Sequence, residues 1–143
     1  MIFEHDKVVD LIKNEISRYI NDNGFPHEIF FGNTALNITD SPDILFPDIM
    51  VINRDSDIRA NVVYSAPEMI VEVVSSESRK CDYTVKLDFY MNIGISEFWI
   101  VDLADDLVIV YLKDTGYTPK HYLYPGAVPV SIFGGEISID FSF

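Results

Sequence analysis

The sequence predicts an α/β domain: a mixed β-sheet flanked by at least two helices. Three observations lead there. Residues 4 to 23 repeat apolar side chains at helical spacing. Two dense apolar runs, Met69 to Val74 and Phe98 to Leu103, are hydrophobic on both faces, as central strands should be. A helix-like segment lies between those runs, and strand, helix and strand in that order form a βαβ unit with a right-handed crossover. At 143 residues the chain is expected to be one domain, 1–143, with room for a real core.

The elements follow in chain order. In the first helix Val9, Ile12, Ile16, Tyr19 and Ile20 share a face, while Lys13, Asn14, Arg18 and Asn21 lie between them. Gly24 supplies a C-terminal stop and Pro26 blocks resumption. His5 and Glu15 on this helix read as solvated surface. Glu28 to Phe31 and Thr34 to Ile38 read as strands, the second with one wet face because Thr34, Leu36 and Ile38 alternate with polar neighbours. Thr39-Asp40-Ser41-Pro42-Asp43 is turn chemistry that should bring Leu45 to Ile52 back as a neighbouring strand. Asn53 to Pro67 reads as a long polar connection. After the Met69–Val74 strand, a helix is expected from about Asp82 to Asn92, stopped by Gly94, with Tyr83, Leu87, Tyr90 and Met91 on one face. Ala104-Asp105-Asp106 should turn the Phe98–Leu103 strand into another at Leu107 to Leu112. Tyr117 to Tyr124 and the alternating tail Glu136 to Phe141 complete the strands.

Composition excludes several classes. A hydrophobic fraction of 48% with ten Phe and eight Tyr excludes a disordered chain. No window approaches the ~20 apolar residues of a membrane span. The first residues are charged too early for a secretory signal. The single Cys81 can form no internal disulfide and no Cys cluster suggests zinc, so a reducing, cytoplasmic compartment is expected. The net charge of −13 argues against constitutive, tight binding of nucleic acid. It leaves room for a nuclease, because a divalent metal held by carboxylates inverts the local charge.

The candidate chemistry lies between Pro47 and Asp102. Asp48 opens one apolar run and Glu72 lies inside another, and a carboxylate in a fully buried strand is costly unless paired, hydrogen-bonded or bound to a cation. Adjacent strands are ~4.8 Å apart, so in matching register the two carboxylates would share one hard cation, Mg²⁺ or Mn²⁺. Lys86, about one turn into the following helix, would swing back over that site. The structural alternative has Asp48 capping a turn and Lys86 pairing with Asp82 at i,i+4. Glu72 resists that alternative best, because its neighbours are all apolar. Trp99 reads as core, and so does Tyr90, with a place lining the site as the alternative for the tyrosine. His5, His27 and His121 are too scattered for a cluster. No phosphate loop, HExxH pair or nucleophile elbow is present.

Those residues also resemble a family. Pro47-Asp48, the run Ala66-Pro67-Glu68-Met69-Ile70-Val71-Glu72-Val73-Val74-Ser75 with Ser78, then Asp82, Lys86 and Tyr90, then Gly94 to Asp102, are similar to the Uma-type putative restriction endonuclease family of the PD-(D/E)xK nuclease-like superfamily. The resemblance runs from about His5 to the C-terminus. It implies a restriction-endonuclease-like mixed sheet, Asp48 and Glu72 as metal-binding acids, and Lys86 as the catalytic lysine. In the superfamily's usual form the lysine follows the Glu by two residues; here that position is Val74, and a lysine on the helix is the natural substitute. Two departures stand out. Members usually carry a strand pair ahead of the first helix, where this chain starts almost at the helix, and the usual Ser-Pro-Ser reads Ser76-Glu77-Ser78.

Two function classes follow. The first is a Mg²⁺- or Mn²⁺-dependent DNA endonuclease using metal-activated water, with Asp48, Glu72 and Lys86 as its catalytic set and Glu15 and Tyr90 as accessory candidates. DNA would be the substrate, weakly bound by so acidic a chain. The second is a catalytically silent nuclease-fold module that binds a partner or assembles as a homo-oligomer through edge strands. Converging side chains of Asp48, Glu72 and Lys86 favour the first; carboxylates far apart, or Lys86 in solvent, favour the second.

Overall fold

The computed structural model describes residues 2–38, 44–75 and 86–142, with side chains from residue 4 onward. Helix α1 (Ile2–Asn23) buries Val8, Val9, Ile12, Ile16 and Ile20, the stripe its periodicity predicts. It ends where Gly24 takes a left-handed φ of 66° and Phe25 N–H bonds back to the Ile20 carbonyl.

The strands are β1 (His27–Phe31), β2 (Ala35–Leu36), β3 (Ile49–Asn53), β4 (Ile58–Arg59), β5 (Val62–Val63), β6 (Met69–Val74), β7 (Glu97–Asp102), β8 (Leu107–Leu112), β9 (Lys120–Leu123), β10 (Gly126–Pro129) and β11 (Ser138–Phe141). The main sheet has the order β1-β3-β6-β7-β8-β9. Only β6 and β7 are parallel in it, joined through the described helix α2 (86–93), and every other neighbouring pair is antiparallel. This is the mixed sheet with two helices that the sequence predicts. β6 and β7 are buried along their whole length, which explains their unbroken hydrophobic runs.

The pleat divides the core between two faces. Ile49, Val51, Val71, Val73, Trp99 and Val101 pack with α1 and with the β10–β11 hairpin. Met50, Ile52, Ile70, Val74, Phe98 and Ile100 pack with Tyr90, Ile95, Leu36 and Val63 on the other side. There β2, β5 and β4 form a small sheet that joins α2 in covering the second face.

Several expectations are corrected. The 53–67 connection holds the β4–β5 hairpin, turned by Ala60 and Asn61 with φ of 47° and 67°. Two successive positive φ angles are what a two-residue hairpin turn needs, and the sequence concealed it because Ala-Asn is not the usual Asn-Gly. β2 pairs with β5, and Ala35 is buried together with Thr34, Leu36 and Ile38, so the expected wet face is exposed at Asn33 and half-buried at Asn37. β3 neighbours β1 and β6 instead of β2; among the described residues one isolated bridge, Leu36 to Leu45, links the two predicted partners. The last strands are shorter than read, and β9 begins only after Tyr117, which has a φ of 61°. Cys81, Asp82, Tyr83 and the Ser76-Glu77-Ser78 segment lie outside the described residues.

Candidate active site

β3 and β6 are antiparallel with Ile49 opposite Val71. One step beyond, at the start of β3, Asp48 therefore stands opposite Glu72. There the side chains take over the pairing: Asp48 N–H donates to Glu72 Oε1 at 3.0 Å, and Val73 N–H donates to Asp48 Oδ2 at 2.8 Å. Each carboxylate is thus gripped by the other strand's backbone. Glu72 shares its face with Ile70 and Val74, which points it toward α2. Lys86, the first described residue of α2, donates from Nζ to Glu72 Oε2 at 2.8 Å. The three residues predicted from sequence converge.

The electrostatics follow from burial. Glu72 is 4% exposed, and its carboxyl is pushed up from the ordinary range mainly by burial. Lys86 pulls against that rise, while the charge of Asp48 adds to it. Tyr90, one turn beyond Lys86, is 1% exposed and packs its ring on Phe98 with centroids 4.9 Å apart. It is core, as expected, but its hydroxyl has no hydrogen-bond partner among the described residues. Burial, then the charges of Glu72 and Asp48, push that hydroxyl's pKa upward.

The remaining candidates sort differently. Glu15 pairs with Arg18 on the outer side of α1 and does not join the carboxylates. The residue that α1 does bring is His5, whose Nε2 lies 3.2 Å from Asp48 Oδ1. The solvated reading of His5 is corrected: it extends the stripe Val9, Ile12, Ile16 by one turn, and that spacing was the available signal. His27 pairs with Glu68 at the start of β6 instead. Glu97, fully buried, accepts from Trp99 Nε1 and from the backbone N–H groups of Ser131 and Ile132, a structural role that sequence reading missed.

A cleft of about 310 Å³ opens beside the carboxylates, lined by His5, Asp6, Val9, Asp10, Phe31, Gly32 and Asp48. A larger hollow of about 580 Å³ lies along the other flank of α1, between Leu11, Leu103 and Tyr124, and holds none of the converging groups. Among the described residues, the two carboxylates meet the one ammonium of Lys86 and the imidazole of His5. A hard divalent cation fits that donor set. Among the described residues no group of three or more His, Cys, Asp or Glu could hold a metal. Water and substrate phosphate would have to complete the shell, as Mg²⁺ allows.

The model of the Uma2 family, described as "Putative restriction endonuclease", matches residues 1–141. The chain belongs to this family. A relative of this Uma2 chain, the uncharacterized protein sll1609 of Synechocystis sp., is 27% identical over 123 residues. The match covers 82% of the Uma2 chain and 63% of that relative. A solved structure, described as "a putative nuclease belonging to DUF820" from Anabaena variabilis, superposes with a TM-score of 0.76 at 20% identity. It covers 95% of this chain and 76% of that one, which establishes a shared α/β fold. Among the described residues no helix is long and apolar enough to cross a membrane.

Proposed function

We propose that this Uma2-family chain is a metal-dependent DNA endonuclease of the PD-(D/E)xK type, with Mg²⁺ or Mn²⁺ as cofactor. The observation that carries the reading is the convergence of Asp48, Glu72 and Lys86 at the end of a β3–β6 pair, around a buried carboxyl. The Lys86 ion pair needs one carboxylate; the second, Asp48, is held beside it by the β6 backbone, which is the pair of acids a metal site needs.

Asp48 and Glu72 would hold the metal, which supplies an activated water and charge stabilisation on the phosphate. Lys86 has two roles open to it: while it sits on Glu72 it balances the buried charge, and when it turns toward the cleft it orients the water or stabilises the transition state. Its side chain is 36% exposed, so that turn is open. Tyr90 offers a buried hydroxyl as donor to the water or to a phosphate oxygen. The water oxygen would form a bond to phosphorus as the bond to the leaving alcohol oxygen breaks; one water proton would be released to solvent, the other would stay on the new phosphate, and the leaving oxygen would take a proton from solvent water. A net charge of −13 leaves DNA attraction to the site itself and makes binding weak and metal-dependent. The same charge is the one observation favouring a silent binding module, and the converging side chains weigh against it.

The test is cleavage of plasmid DNA with Mg²⁺ or Mn²⁺, beside a calorimetric titration of Mn²⁺. Wild type should cleave and bind, Glu72→Ala should do neither, and Glu15→Ala should match wild type. Cleavage that survives Glu72→Ala unchanged refutes the assignment.

A further inference from the structure

His5 lies on α1, against the opposite face of the sheet from α2, yet it reaches the proposed metal site. Its position follows from the helix: Val8 and Val9, one turn on, are buried against the sheet, and His5 continues that stripe past the end of β3. Asp48 stands just before β3 begins, where the pleat no longer dictates its direction. The two meet with His5 Nε2 at 3.2 Å from Asp48 Oδ1. The other oxygen of Asp48 already accepts Val73 N–H at 2.8 Å. The carboxylate is therefore held from two sides, by the β6 backbone and by an imidazole on α1.

We infer that His5 is a positioning residue that fixes the Asp48 carboxylate for the divalent cation from the α1 side of the sheet. The inference rests on the reading of Asp48 as a metal-holding acid, and it adds α1 to the elements that build the site. The two ring nitrogens face two carboxylates, with Nε2 toward Asp48. Nδ1 lies 3.3 Å from Asp6 Oδ1, and both side chains line the cleft beside Asp48. With His5 in place, one oxygen of Asp48 is held by β6 and the other lies against the imidazole. Without it, Asp48 keeps one anchor and can rotate about it. Metal ligands commonly depend on such partners, and removing one typically weakens metal binding about 10- to 100-fold. His5 is not proposed as a ligand, and no step passes through it.

The experiment is calorimetric titration of Mn²⁺ alone, without DNA, into wild type, His5→Ala and His5→Gln, with thermal melting of each by circular dichroism. His5→Ala should bind Mn²⁺ about 10- to 100-fold more weakly, and His5→Gln, which restores an N–H donor at similar reach, should recover most of that loss. Both variants should melt close to wild type, because the His5 side chain is partly exposed at the edge of the core. A His5→Ala affinity equal to wild type overturns the inference and leaves the nuclease reading standing. A loss in His5→Ala with no recovery in His5→Gln overturns it as well, since a donor to Asp48 would then not be the cause. Wild type that binds no Mn²⁺ overturns the inference, since Asp48 then holds no cation for His5 to position.

Discussion

Glu72→Gln should make the metal-free protein more stable at neutral pH and abolish the stabilisation that metal gives. Glu72 is 4% exposed and, among the described residues, pairs with Lys86. Glutamine keeps the shape. Its carbonyl oxygen can go on accepting Asp48 N–H, while Lys86, 36% exposed, is free to turn to water. Removing one partner of a buried pair costs about 3–5 kcal/mol where the other charge stays buried; Lys86 can reach water, so that cost is avoided and relief of the buried carboxylate leaves a gain of ~1 kcal/mol. That is about 3 °C in Tm for a chain of this size. The pH dependence has a definite sign. A carboxyl whose pKa rises on folding contributes its full stability below its unfolded value and loses it as pH climbs through the raised one. The variant should therefore match wild type near pH 4 and gain on it as pH rises. Mn²⁺ at about 100 times its Kd should add ~2.7 kcal/mol to wild type and nothing to the variant, which reverses the order. Thermal melts from pH 4 to 8, with and without Mn²⁺, read all of this. A variant less stable than wild type at pH 7 without metal, or a gap that does not change with pH, refutes the reasoning.

Glu97→Ala strips the acceptor from Trp99 Nε1 and from two backbone N–H groups, so it should cost about 3 kcal/mol or more and lower Tm by roughly 10 °C. Its Mn²⁺ affinity should stay at the wild-type value, because Glu97 lies three residues, ~10 Å, along β7 from the register position opposite Glu72. Tyr90→Phe removes a buried hydroxyl with no protein partner among the described residues, so melting should show about 1 kcal/mol of added stability. Plasmid cleavage should fall about 100-fold if that hydroxyl donates to the reacting phosphate, and cleavage at the wild-type rate would return Tyr90 to a purely structural role.

Periodicity alone determined α1, β6 and β7, because each buries a continuous apolar surface whose spacing is fixed by the backbone. It also singled out Glu72, since a carboxylate among five apolar neighbours has few explanations; strand spacing offered Asp48 and Lys86 beside it, and the resemblance supported them. What it did not determine were the contacts between segments far apart in the chain. The pairing of β2 with β5 depends on a turn at Ala60 and Asn61 whose residues do not announce it. His5 and Glu15 both looked like helix surface, ten residues apart on one helix. Only the packing of α1 across β3 and β6 set one against Asp48 and left the other with Arg18. Glu97, likewise, reads as a strand residue until the 131–132 segment folds over it. Local pattern decides which face of an element is apolar. Where a polar side chain at the end of that face finds its partner is decided by the register and angle at which elements dock, and those belong to the assembled core.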